Sequence, residues 1–336
     1  MKLKNNEIEN CNYVKAILMI IVVFYHSILF WNGNWFNVIP LYNDSKILAV
    51  FARWLNTFHI YCFTFISGYI FYYVKIEQNR YENFKIFLKK KISRLIIPYC
   101  CTAFFWVIPI TQIFYKYTIN EIMYKYIMAT SPSQLWFLLM LFWTSIFFWY
   151  ISENKNVKLI LLNSMIFYLI GNLMILFLPN TLCIWTGLQY ILFYALGYTY
   201  RKYTNLINRK NIGLVCLLFN IIFFMISEKI SNRIIAYIFI QFTHILGAIG
   251  VFCILQIIVN NINNKKNIII SLLSKYSMTI YLFHQQIIYV VIYILNGKIL
   301  PEINALINFF IAIILSLLIS VIMSKNKITK KMFGIN

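Results

Sequence analysis

The stretch YVKAILMIIVVFYHSILFW, residues 13–31, decides the fold, because its 19 residues carry only one lysine near the start and one histidine near the end. The hydrocarbon core of a bilayer takes about 20 residues of α-helix, so a run of this length and polarity is a membrane span. It is long for a signal-peptide core and no small-x-small cleavage site follows it, which makes it a retained first span. Nine similar runs follow, at about 53–74, 92–115, 134–151, 157–178, 181–200, 211–227, 234–259, 277–296 and 303–323. At roughly 20 residues each, ten helices take about 200 of the 336 residues and leave only short tails and connections. The expectation is an all-α polytopic membrane helix bundle of about ten transmembrane helices, forming a single integral-membrane domain over 1–336.

Composition says the same. With 61% apolar and 12% charged residues and a mean hydropathy of +0.73, too few polar side chains exist to coat a soluble globule. The net charge of +21 would suggest nucleic acid in a soluble protein, but here it reads as loop charge beside lipid headgroups, and no nucleic-acid partner is expected. With the N-terminus inside, alternate connections hold 23 Lys and Arg on the inner side and seven on the outer side. That bias favours ten spans with both termini cytoplasmic. In the second run, Lys46 to Trp54 is expected to lie along the interface before the chain turns inward at Leu55. Pro98 and Pro109 should disturb the third span. The seven cysteines are odd in number and show no C-x-x-C pairing, so neither a disulfide framework nor a zinc site is indicated.

All nine carboxylates, from Glu7 to Glu302, fall in tails or connections, which argues against a pump built on buried acidic relays. All four histidines, His26, His59, His244 and His284, fall inside apolar runs. Histidine titrates near neutrality and so can act as a base without a large pKa shift. On the first helix Lys15 and His26 are eleven residues apart and share a face within about 20°, with Asn12 about 40° away, a polar stripe expected to face the bundle. His26 lies roughly 16 Å above Lys15 along the axis. Ser27 is not read as a nucleophile activated by His26, because adjacent helical residues point about 100° apart.

A second stretch, FLKKKISRLIIPY, runs a basic cluster straight into the third span. Lys91 and Arg94, three apart, would share a face and could together grip a phosphate, although the positive-inside rule alone calls for such a cluster. His59 is followed by the small pair Ser67-Gly68, which more often serves close helix packing than binding. His284 follows Tyr281 by three residues, with Gln285 and Gln286 adding polarity. His244, beside Gln241 and Thr243, reads first as an interhelical hydrogen-bonding residue, and Trp136 as part of an aromatic belt.

Taken in order, these pieces resemble one family, the integral-membrane acyltransferases of acyltransferase family 3, which include O-acetyltransferases of bacterial surface polysaccharides. Asn12-Tyr13-Val14-Lys15-Ala16 with His26 resembles that family's Asp-x-Leu-Arg-(Gly/Ala) and its histidine eleven residues after the arginine. FHIYCFTFISGY resembles F-H-x-P-x-F-F-F-x-S-G-Y, with Tyr61 where proline is usual. KISRLIIPY resembles the Arg-x-x-Arg…Pro segment, and LWFL and YLFH resemble two further signatures. Lys15 and Lys91 stand where arginine is usual, keeping the charge without the two-pronged fork, and Asn12 replaces an acid.

The resemblance implies that acyl-coenzyme A, acetyl-coenzyme A in the polysaccharide-modifying members, approaches from the cytoplasm. Lys91, Arg94 and Lys15 would bind this donor, and His26 would be the catalytic base. Asn12, His59, Ser67, Tyr281 and His284 would line the substrate pocket, with no metal. The acceptor would be a carbohydrate hydroxyl, on a cell-surface glycan or its lipid-linked precursor, with polysaccharide-synthesis proteins as possible partners. The rival is a transporter or flippase for a lipid-linked saccharide, for which broken helices or coupling carboxylates within the spans would be expected. A polysaccharide polymerase would call for a long outer loop with several arginines, and residues 32–52 contain none.

Overall fold

A computed structural model describes residues 2–33, 35–154, 156–206, 208–263 and 268–335, without the side chains of 2–6 and 262–263. Lys155, Lys265 and Lys266, counted above among the inner charges, lie outside the described residues. Within them every regular element is helical. Among the described residues, eight helices are long and apolar enough to cross a membrane: Glu7–Asn32, Phe84–Tyr115, Ser133–Ile151, Val157–Phe177, Arg209–Lys229, Arg233–Asn261, Ile268–Leu295 and Pro301–Met323. Each matches one of the runs read from the sequence. The chain is an all-α, multi-pass membrane protein.

The other two runs, 53–74 and 181–200, are helical but interrupted. The first is reached through helix Lys46–Asn56, whose N-terminus is capped by the Ser45 hydroxyl accepting from the Leu48 amide. That helix stops at Thr57, which donates its hydroxyl to the Trp54 carbonyl at 2.7 Å, and the chain restarts as His59–Tyr72. The break falls two residues after the inward turn read at Leu55. The second run opens with Leu182 and Cys183 both at positive φ, continues as Ile184–Gln189, and is broken again at Tyr190 before Ile191–Lys202.

In the third span the two prolines act through π turns. Ile92–Ile96 and Ala103–Val107 are π-helical, and each ends two residues before a proline, Pro98 or Pro109. A proline has no N–H to give and its ring crowds the preceding turn, and a local i→i+5 register absorbs both effects.

By internal contacts the chain forms two compact units. One comprises Met1–Ile66, Tyr203–Ser277 and Ile287–Leu315; the other comprises Ser67–Lys202, Met278–Gln286 and Ser316–Asn336. In the first, helices Arg209–Lys229 and Arg233–Asn263 pack against each other, and a side chain at Gly250 would meet the Leu217 backbone at 3.0 Å. In the second, a Cβ at Gly68 would overlap the carbonyl oxygen of Tyr194. The Ser67-Gly68 pair therefore includes a glycine required for helix contact, as small residues in membrane helices commonly are.

Candidate functional site

Asn12, Lys15, His26 and His59 belong to the first unit. The buried face of the first helix is lined by Cys11, Val14, Leu18 and Val22. The polar stripe runs along the border of this face: Lys15 and His26 are half-buried and Asn12 is exposed. The expectation that the whole stripe faces inward is thus corrected at Asn12. The reason is angular, since residues 11, 14, 18 and 22 set the packed face and residue 12 lies about 100° from residue 11.

His26 places Nδ1 3.0 Å from the Val22 carbonyl one turn below. A carbonyl only accepts, so Nδ1 carries the proton in the neutral ring and Nε2 carries the lone pair. Aromatic rings gather here. Tyr25 lies with its ring centroid 5.0 Å from that of His26 and 4.4 Å from that of His59, so the two histidines flank one tyrosine. Trp35, from the connection after the first helix, lies 6.0 Å from His26 and 4.8 Å from Tyr289. Its neighbour Phe36 is stacked on Tyr289 at 4.4 Å with the rings 9° from parallel. Neither Trp35 nor Tyr289 carried any signal in the sequence, being single aromatics in an aromatic-rich chain.

His59 is fully buried, with Nδ1 2.8 Å from the Leu55 carbonyl. His244 points Nδ1 at the Thr57 carbonyl, 3.0 Å away, as the interhelical reading expects. Tyr61, standing where the family pattern has proline, stacks on the His244 ring at 4.0 Å. The helix break at Thr57 is held from the other side by Asn220, which donates to the Thr57 hydroxyl and the Thr243 carbonyl and accepts from the Trp54 indole.

Ser67, Lys91, Arg94, Tyr281 and His284 belong to the second unit. His284 is 0% exposed, and its Nδ1 faces two carbonyls, Ile280 at 3.0 Å and Tyr281 at 2.8 Å. Around it is a polar knot. Gln134 and Gln286 exchange amide hydrogen bonds, at 2.7 Å from Gln134 Nε2 to Gln286 Oε1 and 3.0 Å in return. Gln134 also donates to the Leu282 carbonyl, Tyr281 donates its hydroxyl to the Gln134 carbonyl, and Gln285 donates to the Ser133 hydroxyl at 2.9 Å. Gln134 was missed in the sequence, although it stands one residue before the LWFL signature.

Lys91 and Arg94 meet the first π turn, and this changes their relation. Packing more residues into a turn makes three residues sweep less of the circle than in an α-helix, so Arg94 falls short of the face of Lys91. Lys91 is half-buried with its amine 5.3 Å from the centre of the Phe87 ring, whereas Arg94 is exposed. The shared face expected from ideal helical spacing is therefore opened.

Among known proteins, the chain matches the family model described as an acyltransferase domain over residues 8–325. No curated protein matches it, and no solved structure does.

Proposed function

The chain belongs to acyltransferase family 3, and from that premise we propose that it moves an acyl group, acetyl by preference, from acyl-coenzyme A to a hydroxyl of a cell-surface carbohydrate or its lipid-linked precursor. The observation that carries this reading is a family match running from residue 8 to residue 325 that includes His26, a histidine whose Nδ1 is committed to a carbonyl. In the proposed step His26 Nε2 takes the acceptor hydroxyl proton as the oxygen attacks the thioester carbonyl. The C–S bond then breaks, and the coenzyme A thiolate leaves and takes the proton back from the imidazolium. Tyrosine or serine hydroxyls supply hydrogen bonds to the transient oxyanion.

The resemblance gives the donor's phosphates to Lys91, Arg94 and Lys15, and a substrate-lining role to Asn12, His59, Ser67, Tyr281 and His284. The protein would sit in a bacterial cytoplasmic membrane, with polysaccharide-synthesis proteins as partners. The test is hydrolysis and transfer of radiolabelled acetyl-coenzyme A by the purified protein in nanodiscs. Wild type should release or transfer label, His26→Ala should lose roughly 10²- to 10⁴-fold, and Lys91→Ala/Arg94→Ala should weaken donor binding. No turnover, together with no protection by coenzyme A against thermal unfolding, overturns the proposal.

A further inference from the structure

In the second unit, the residues leading into the third span form a cluster in which cations lie over aromatic rings. Lys75 Nζ is 3.7 Å from the centre of the Trp149 ring and donates to the Ser152 hydroxyl at 3.0 Å. Lys91 Nζ is over Phe87, and Lys90 Nζ is 5.1 Å from the centre of the Tyr81 ring. The rings are themselves packed together: Phe87 lies 4.8 Å from Trp149, 5.1 Å from Tyr81 and 5.6 Å from Phe71. Phe71, Phe87 and Trp149 are buried, while Tyr81 is half-buried and Lys90 and Arg94 are exposed. Burial pushes the Tyr81 hydroxyl up, and the Arg94 charge acts against it, so the guanidinium is within electrostatic reach of this phenol.

Two features single out Tyr81. It is a half-exposed ring backed by the packed aromatic base through Phe87. It also carries the Lys90 ammonium over its face, on an exposed side chain. A platform with cations at its margin suits a ligand that combines a flat heterocycle with phosphates, because the heterocycle gains from stacking and the phosphates from charge-assisted hydrogen bonds. Free inorganic phosphate or a lipid headgroup would use the cations but not the ring.

We propose that Tyr81 and Lys90 form the docking site for the nucleoside end of the donor, Tyr81 stacking on the adenine and Lys90 holding the ribose 3′-phosphate. This rests on the acyl-coenzyme A reading and extends it to two residues outside the Lys-x-x-Arg pair. The diphosphate is left to Lys91 and Arg94, while Lys75, pinned between Trp149 and Ser152, holds the aromatic base.

The experiment compares coenzyme A with 3′-dephospho-coenzyme A binding to the full-length protein in phosphatidylcholine nanodiscs, by calorimetry. Wild type should bind coenzyme A about tenfold more tightly than the dephospho form. Lys90→Ala should bring that ratio close to one while leaving dephospho-coenzyme A affinity within about twofold. Tyr81→Leu should weaken both ligands about equally, by about fivefold, and Tyr81→Phe should restore both. Tyr81→Phe also separates a stacking role from a fold defect. The proposal is overturned if wild type binds coenzyme A but does not distinguish the two forms, or if Tyr81→Leu binds both as wild type does. It is also overturned if Lys90→Ala alters only the competition by phosphatidylglycerol nanodiscs, which would mark the cations as lipid-headgroup ligands. If wild type binds neither nucleotide, the donor reading itself has failed, a result distinct from the others.

Discussion

His26 and His284 use the same device in different surroundings. Each commits Nδ1 to main-chain carbonyls on its own helix, leaving Nε2 as the basic nitrogen. His26 is half-buried among the rings of Tyr25 and Trp35. His284 is fully enclosed, on a helix turn tied by Tyr281, Gln285 and Gln286 to the segment Ser133–Leu135. On the proposed reading, the difference separates what a base needs from what a wall needs. A base must be reached by its proton donor, whereas a residue lining a pocket serves best when it cannot move.

The largest effect expected from this contrast is a split between rate and stability. His26→Ala should lose roughly 10²- to 10⁴-fold in transfer with little change in thermal midpoint. His284→Ala should lower the midpoint as well as the rate, since it empties an enclosed site. Parallel kinetics and melting of the two variants in one detergent would decide the matter. Equal melting behaviour would erase the distinction between the two histidines.

The amide knot gives the next effect in size. Gln286→Leu leaves the buried Gln134 amide without its reciprocal partner, a loss of about 1–3 kcal/mol. Gln134→Leu combined with Gln286→Leu should recover part of that, because two apolar groups of similar shape leave fewer orphaned polar atoms than one does. Additive losses in the double variant would show that the pair does not act as a unit and that His284 is held by something else.

Much of this architecture was legible in the sequence, and for a physical reason. Lipid cannot hydrogen-bond a backbone, so each crossing must announce itself as a long apolar helix, and eight of the runs do. The two interrupted runs were less legible because their breaks are made by tertiary partners. Thr57 is held by Asn220, more than 160 residues away in sequence, and Leu182 donates its amide to the Met128 carbonyl. Spacing singled out His26 and the basic cluster as candidates, since helical period is a local property. It overstated the pairing of Lys91 with Arg94, because Pro98 signalled a disturbance without showing that it takes the form of a π turn. It could not find Trp35, whose place depends on a backbone turn made at Phe36, a residue type that does not signal positive φ.

That turn carries the smallest effect. Phe36 holds φ at +56° while only 2% exposed. A left-handed conformation costs an ordinary residue about 1–2 kcal/mol, and burying a phenyl ring returns about 1.5–3 kcal/mol, so the stack on Tyr289 is sufficient to hold the strained turn. What the turn delivers is the Trp35 ring beside His26. A ring contact of this kind is worth about 0.5–1.5 kcal/mol, so Trp35→Ala should slow transfer by roughly two- to tenfold with an unchanged thermal midpoint, and Trp35→Phe should recover most of it. A loss as deep as that of His26→Ala would make the indole part of the chemistry. No loss at all would mean that the accessible side of His26 is shaped without this loop, and the contrast with the walled-in His284 would then rest on burial alone.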